Sequence, residues 1–248
     1  INQGKNVLYI SLELAEEEVA KRIDANVLNI SIDDLLVLPK DLYDRKIENL
    51  KNKTNGKLIV KEYPTASAST VHFRSLLNEL NLKKGFVPDV IMVDYLNICA
   101  SSRIKPGNGV NSYTYVKAIA EELRGLAVEY NVPIWSATQL TRGGYGSSDP
   151  DLTDTSESFG LPATADFFVA LVVTEQLEQL NQIMVKQLKN RYADPAKYKR
   201  DVIGVDKTKM KLYDVEASAK DIVDTGEDIP QPKSKFESKG NKFKGLKV

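Results

Sequence analysis

In "VPDVIMVDYL" an apolar run, Val90 to Val93, ends in a carboxylate, Asp94. Such a run, bounded by a proline, reads as a strand buried on both faces. A charge at its edge costs free energy unless a cation or a donor meets it. Glu13 stands at the equivalent place after "VLYISL", and Gln139 after "VPIWSAT". In open α/β sheets, ligands gather outside the carboxyl ends of the strands. Three polar tips on three apolar strands would therefore share one crevice. An aspartate after an apolar strand is the Walker B pattern, whose carboxylate holds Mg²⁺, usually through water, beside phosphate oxygens. It equally suits the cap of a loop or helix. Glu13 fits a base that orients an attacking water, or simply an acid in a first helical turn. Gln139 fits a γ-phosphate sensor or a solvated loop residue.

"KQLKNRY" supplies the opposite charge. Lys189 and Arg191 are two apart and share one face of an extended strand. Two cations there suit a phosphate, with the guanidinium forming paired hydrogen bonds, and such a pair can act across a subunit boundary as an arginine finger does. A solvated basic strand end is the alternative.

Alternating elements must position these groups. Strands are expected at "NVLYIS", "GKLIVKEYP", "VIMVD", "VPIWSATQ", "ADFFVALVVT" and "IMVKQLKNRY", with a hairpin turning near Asp206–Lys207. Helices are expected over "LAEEEVAKRIDANVL", with acids in its first turn, over the charged segment 39–53, and over "STVHFRSLLNEL". This last helix has a Ser cap and places Val71, Leu76, Leu77 and Leu80 on one side. Val116, Ile119, Leu123, Leu126 and Tyr130 recur at helical spacing. The pattern predicts an α/β fold: a mostly parallel central sheet flanked by helices, with a C-terminal antiparallel hairpin. Between Gln139 and the next strand lies a long Gly/Ser-rich segment, a length that is usually functional or disordered.

The 248 residues hold 34 basic and 34 acidic side chains, so a globally basic surface is absent and any nucleic-acid contact must be local. One cysteine, Cys99, excludes an internal disulfide and fits a reducing, cytoplasmic compartment. One histidine, His72, excludes a His-rich metal cluster. No stretch approaches the roughly 20 apolar residues of a membrane span. Residues 214–248 read as a disordered tail, acidic at first and then Lys-rich.

The order "YISLE", "IMVDYL", "TQLTR", "KNR" resembles the RecA-like P-loop NTPase motor domain of DnaB-family replicative helicases, over about residues 5–213. "FRSLLNEL", "VKAIAEELRGLAVE" and "GLPATADF" resemble the T-even-type bacteriophage branch of that family. The resemblance implies an ATP-dependent (or other NTP-dependent), Mg²⁺-requiring helicase that forms a homo-hexamer, translocates on single-stranded DNA and unwinds the replication fork. A phage origin would make its compartment the host cytoplasm. It implies Glu13 as the catalytic glutamate, Asp94 as the Mg²⁺ aspartate, Gln139 as the coupling residue, and Lys189 and Arg191 as groups reaching the neighbouring subunit's nucleotide. By position, Arg142 and the segment containing Glu157, Ser158 and Gly160 match its DNA-binding channel loops. Phe236, Phe243 and the lysines near them are candidate contacts for primase, a helicase loader or DNA, the alternative being a solvating tail with no partner.

Two departures stand out. No GxxxxGK[ST] phosphate loop occurs in the chain, which starts at "INQGKNVLYIS" without Met. We expect the upstream strand and phosphate loop to be missing, the isolated piece to be inactive, and unpaired sheet edges to make it prone to aggregation. "GGYGSSDPDLTD" also carries no base after Arg142, so DNA contact there would rely on backbone N–H groups. A RecA-type recombinase and a non-catalytic scaffold of the same fold remain the alternatives at this level.

Overall fold

The computed structural model describes residues 1–105, 107, 110–139, 149–152, 160–194 and 199–215. Four parallel strands form a first sheet: β1 (Val7–Ser11), β2 (Leu58–Glu62), β3 (Val90–Asp94) and β4 (Ile134–Ser136), in the order β2-β1-β3-β4. A second, antiparallel sheet holds β5 (Phe167–Val172), β6 (Gln182–Asn190), β7 (Arg200–Asp206) and β8 (Lys211–Asp214) in sequence order. The α/β reading holds. The antiparallel part is larger than one hairpin, because β5 and β6 join it. The turn at residues 207–210 sits where the sequence predicted it.

Alternation along the parallel strands decides where the core sits. Leu8, Ile10, Ile91 and Val93 are buried on one face. Helix α4 (Thr70–Lys84) covers that face with Phe73, Leu76, Leu77 and Leu80, and α5 (Ser112–Tyr130) with Val116, Ile119, Leu123 and Leu126. Two expectations need correction here. Val71 faces solvent, because it falls off the stripe that Phe73 completes. β3 is not buried on both faces: Met92 is 39 % exposed, and Trp135 beside it on β4 is 51 % exposed. The Trp135 ring meets the Phe167 ring edge-on at 5.8 Å, joining β4 to β5 across the two sheets.

Local chemistry sets the helix ends. Helix α1 (Glu16–Leu28) opens with Glu16, Glu17 and Glu18, which favour its positive end, and closes on Asn29 at φ 56°. Helix α2 (Ile32–Val37), which periodicity did not predict, starts at Ser31, whose hydroxyl accepts from the Asp34 N–H at 3.1 Å. Helix α3 (Lys40–Lys53) has no buried residue, as its charge predicted. At α4 the Ser69 N–H donates to His72 Nδ1 at 3.1 Å, so the one histidine is a cap. The α1–α2 corner packs on the last hairpin, where the Ile32 N–H donates to the Thr208 carbonyl at 2.9 Å.

The chain leaving β3 turns through a 3₁₀ segment, Leu96–Ile98, and is held by Glu122 of α5. The Glu122 side chain is 6 % exposed. It accepts from the Ser102 N–H at 2.8 Å, from the Ser101 and Ser102 hydroxyls, and from Thr70 Oγ1 at 3.1 Å. Burial pushes its pKa up, but these donors outweigh burial and bring it down to about 2. A folded-state pKa below the ordinary 4.5 stabilises above that value and loses its contribution as pH falls toward about 2. Glu122→Gln should therefore cost about 1–3 kcal/mol at neutral pH. In thermal melts, the gap between wild type and variant should close between pH 4.5 and 2. A gap that is constant across that window would contradict the assignment.

Candidate functional site

Register brings the predicted tips together. Ser11, the last residue of β1, pairs with Asp94, the last of β3, and Val93 pairs with Ser136, the last of β4. Backbone bonds continue past the strands: the Leu12 N–H donates to the Asp94 carbonyl at 2.8 Å, and the Leu96 N–H to the Ala137 carbonyl at 3.3 Å. The Ser136 hydroxyl donates to the Val93 carbonyl at 2.7 Å. Glu13, Asp94 and Gln139 thus stand at the same edge of three adjacent parallel strands.

Each tip is shaped locally. The Ser11 hydroxyl donates to the Leu14 carbonyl at 2.6 Å and accepts from the Leu14 N–H at 3.0 Å, closing a turn that leaves Glu13 exposed. Glu16, the next acid, is committed elsewhere: it accepts from the Glu62 N–H at 2.9 Å and from Lys61 Nζ at 3.1 Å. Asp94 Oδ2 accepts from the Tyr9 hydroxyl at 2.7 Å. Burial first, then the bond to Asp94 and its charge, hold the Tyr9 hydroxyl well above the ordinary phenol range, and Glu13 adds to this. Tyr9 therefore remains a donor to Asp94. Gln139 Nε2 donates to the Tyr95 hydroxyl at 3.3 Å.

The basic pair lies at a second cluster. Lys189 Nζ donates to the Pro162 carbonyl at 2.6 Å and the Ala163 carbonyl at 3.1 Å, at the end of α6 (Gly160–Thr164). Arg191 donates to the Ala163 carbonyl at 2.7 Å and to Asp166 Oδ1 at 3.2 Å. The two cations do share one side of the strand end. Among the described residues, they bond to α6 and Asp166 rather than to Glu13, Asp94 or Gln139.

Of the residues matched to channel loops, Arg142, Glu157 and Ser158 lie outside the described residues, as do residues 216–248 of the tail. Gly160 is buried at the start of α6, where a Cβ would come within 2.7 Å of Lys117 Cδ. Sequence reasoning missed the anchor of Asp149. Its Oδ1 takes Lys186 Nζ and, at 2.6 Å, an Arg200 nitrogen, from two residues paired across β6 and β7. The Lys186 and Arg200 side chains are 7 % and 4 % exposed. The signal was present: a lysine inside the apolar run "IMVKQL" must find a partner.

Among the described residues, no three His, Cys, Asp or Glu side chains gather as a metal cage. One partly buried carboxylate, with an exposed second at the same sheet edge, suits Mg²⁺, which keeps several waters and takes one or two carboxylates. Among the same residues, no helix is long and apolar enough to cross a membrane.

Comparison with solved structures defines the class first. A solved ATPase domain superposes with a TM-score of 0.69 at 19 % identity, over 87 % of this chain and 76 % of that one. A structure described as a DnaB-like replicative helicase and its interactions with primase gives a TM-score of 0.68, also at 19 % identity, over 87 % of this chain and 52 % of that one. The fold is that of a RecA-like ATPase domain. Residues 1–210 match the DnaB-like helicase C terminal domain, and the chain belongs to that family. It is 51 % identical over 216 residues to the DnaB-like replicative helicase of Enterobacteria phage T4, covering 86 % of this chain and 45 % of the relative. A probable plasmid replicative DNA helicase of Chlamydia trachomatis is 30 % identical over 67 % of this chain and 36 % of the relative. The chain thus spans less than half the length of these relatives.

Cys99, at the end of the 3₁₀ turn after Asp94, reports on the turn. Burial, with the Glu122 charge, pushes its thiol up to about 12. Native protein should react with a thiol reagent about 100-fold or more slowly than denatured protein. Asp94→Asn keeps an oxygen for Tyr9 and should leave Cys99 equally protected. Rapid labelling of that variant would mean that Asp94 holds the fold rather than being available to a ligand.

Proposed function

We propose that the chain is the motor portion of an ATP-dependent replicative DNA helicase that works as a homo-hexamer, translocating on single-stranded DNA and unwinding duplex at the fork. The observation that carries this reading is the alignment of Glu13, Asp94 and Gln139 at one edge of β1, β3 and β4. Family membership supports it.

Mg²⁺, when bound, would neutralise phosphate oxygens of the nucleotide. Asp94 is the carboxylate to hold it through water, with Tyr9 fixing one of its oxygens. Glu13 is free of the strand-end role that engages Glu16, so it can accept a proton from the water that attacks the γ-phosphate. Gln139 directly precedes the segment that begins at residue 140, and its bond to Tyr95 ties it to the β3 tip, so it would couple a bound nucleotide to that segment. Lys189 and Arg191 bond to α6 and Asp166 instead of these tips, which suits action on a neighbouring protomer's nucleotide. No GxxxxGK[ST] motif occurs in the 248 residues, and none of the residues named here is assigned the role of phosphate cradle. Arg142, Glu157 and Ser158 are the proposed DNA contacts, with buried Gly160 anchoring the end of their segment against α5 instead of touching DNA itself, and binding through phosphates should weaken with salt. A primase or a helicase loader is the proposed protein partner.

In the full-length protein, Asp94→Asn should abolish Mg²⁺-dependent ATP hydrolysis, at least about 100-fold, while leaving ring assembly intact. Arg191→Ala subunits doped into wild-type rings should depress hydrolysis more than in proportion to their share. Strictly proportional loss would contradict a finger acting on the neighbouring subunit.

A further inference from the structure

Asp166 lies between two guanidinium groups. Its Oδ2 takes Arg124 Nη1, and its Oδ1 takes Arg191 Nη1 at 3.2 Å. The Arg191 N–H also donates to the Asp166 carbonyl at 2.9 Å, so backbone and side chain register this pair together. Arg124 belongs to α5, whose buried stripe packs under the parallel sheet, and it also donates to the Thr164 carbonyl at 3.1 Å. Lys189 and Arg191 meanwhile share the Ala163 carbonyl at the end of α6. Both cations thus rest on acceptors of one short element, and α6 begins at Gly160, docked on Lys117 of α5.

Rested in this way, neither cation presents its full donor set outward. Lys189 gives donors to two carbonyls, and Arg191 gives one nitrogen to Ala163 and another to Asp166. A phosphate bound by both would have to compete with these acceptors. Arg124 holds the Asp166 carboxyl below its ordinary range, against burial, and Arg191 adds to that. Burial first, then the Arg191 charge, lowers the Lys189 ammonium. The two cations therefore repel each other, and the carbonyl end of α6 with Asp166 is what offsets that repulsion.

Building on the motor reading, we propose that Asp166 and the carbonyl end of α6 form a resting latch for Lys189 and Arg191, with Arg124 setting its strength by sharing the carboxylate charge through the other oxygen. Asp166 and Arg124 are positioning residues: neither acts on substrate. The pair leaves the latch to reach a neighbour's nucleotide, and displacement of α6 is what releases it. Because α6 directly follows the proposed DNA contacts, DNA binding and delivery of the cations become one event.

Removing the carboxylate, or the guanidinium that shares it with Arg191, should move the balance in opposite directions. Asp166→Asn deletes the charge that retains Arg191. In the full-length protein it should raise ATP hydrolysis without DNA several-fold and lower the stimulation ratio, the rate with saturating single-stranded DNA over the rate without. Arg124→Gln gives Asp166 wholly to Arg191. It should lower the DNA-free rate and raise the ratio. Asp166→Glu, which keeps the carboxylate, should return the ratio toward wild type. General damage to the fold would move both variants the same way. Ratios that change in one direction for both, or stay within twofold of a DNA-stimulated wild type, overturn the latch while leaving the motor reading standing. A wild-type protein that hydrolyses no ATP, with or without DNA, overturns both.

Discussion

The pairing of β1 with β3 is the constraint on which the rest of the molecule depends. Ser11 faces Asp94 because Leu8 and Ile10, together with Ile91 and Val93, must all point toward α4 and α5. A slip of one residue would send the buried side chains of one strand to the open face and bring Tyr9 or Met92 inward. It would also break the Tyr9–Asp94 bond and move Glu13 off the edge shared with Gln139. The hydrophobic pattern that buries the core is thus the same pattern that aligns the polar tips. The residues that bury the core and those that lead to the polar tips alternate along the same two strands.

Charge is distributed by the same logic. The chain has zero formal net charge, yet its described carboxylates fall into distinct environments. Glu122 is saturated by hydroxyl and N–H donors and organises the chain after β3. Asp149 and Asp166 each bridge two cations: Asp149 takes Lys186 and Arg200, and Asp166, just before β5, takes Arg124 and Arg191. Glu13 is exposed and stands outside these nodes. In the proposed motor, the strand-tip carboxylates Glu13 and Asp94 are those left to chemistry, whereas the cation- and donor-saturated ones set geometry.

Much of this was legible in the sequence. The run ending in Asp94, the helical stripe from Val116 to Leu126 and the turn after Asp206 rest on local periodicity, and local periodicity survives folding. Helix α2 was missed because six residues are too few to show a period, and Ser31 was its main local sign. Val71 was misplaced because a stripe counted from aliphatic residues alone overlooked Phe73 as its centre. Met92 was expected to be buried because an apolar run does not say which of its faces is covered. The Arg124–Asp166–Arg191 chain and the Lys186–Asp149–Arg200 anchor link residues tens of positions apart. No spacing rule reports such links, although Lys186 within an apolar strand demanded some partner.

In the proposed motor, the tips of β1, β3 and β4 surround one metal–nucleotide. Metal-directed cleavage tests it most directly. With Fe²⁺ replacing Mg²⁺ in the full-length protein bound to an ATP analogue and single-stranded DNA, peroxide cuts the backbone next to the metal. Cuts are expected at three places in one chain: beside Glu13, beside Asp94 and beside Gln139. Cuts that cluster elsewhere, or at one tip with the other two untouched, would contradict it.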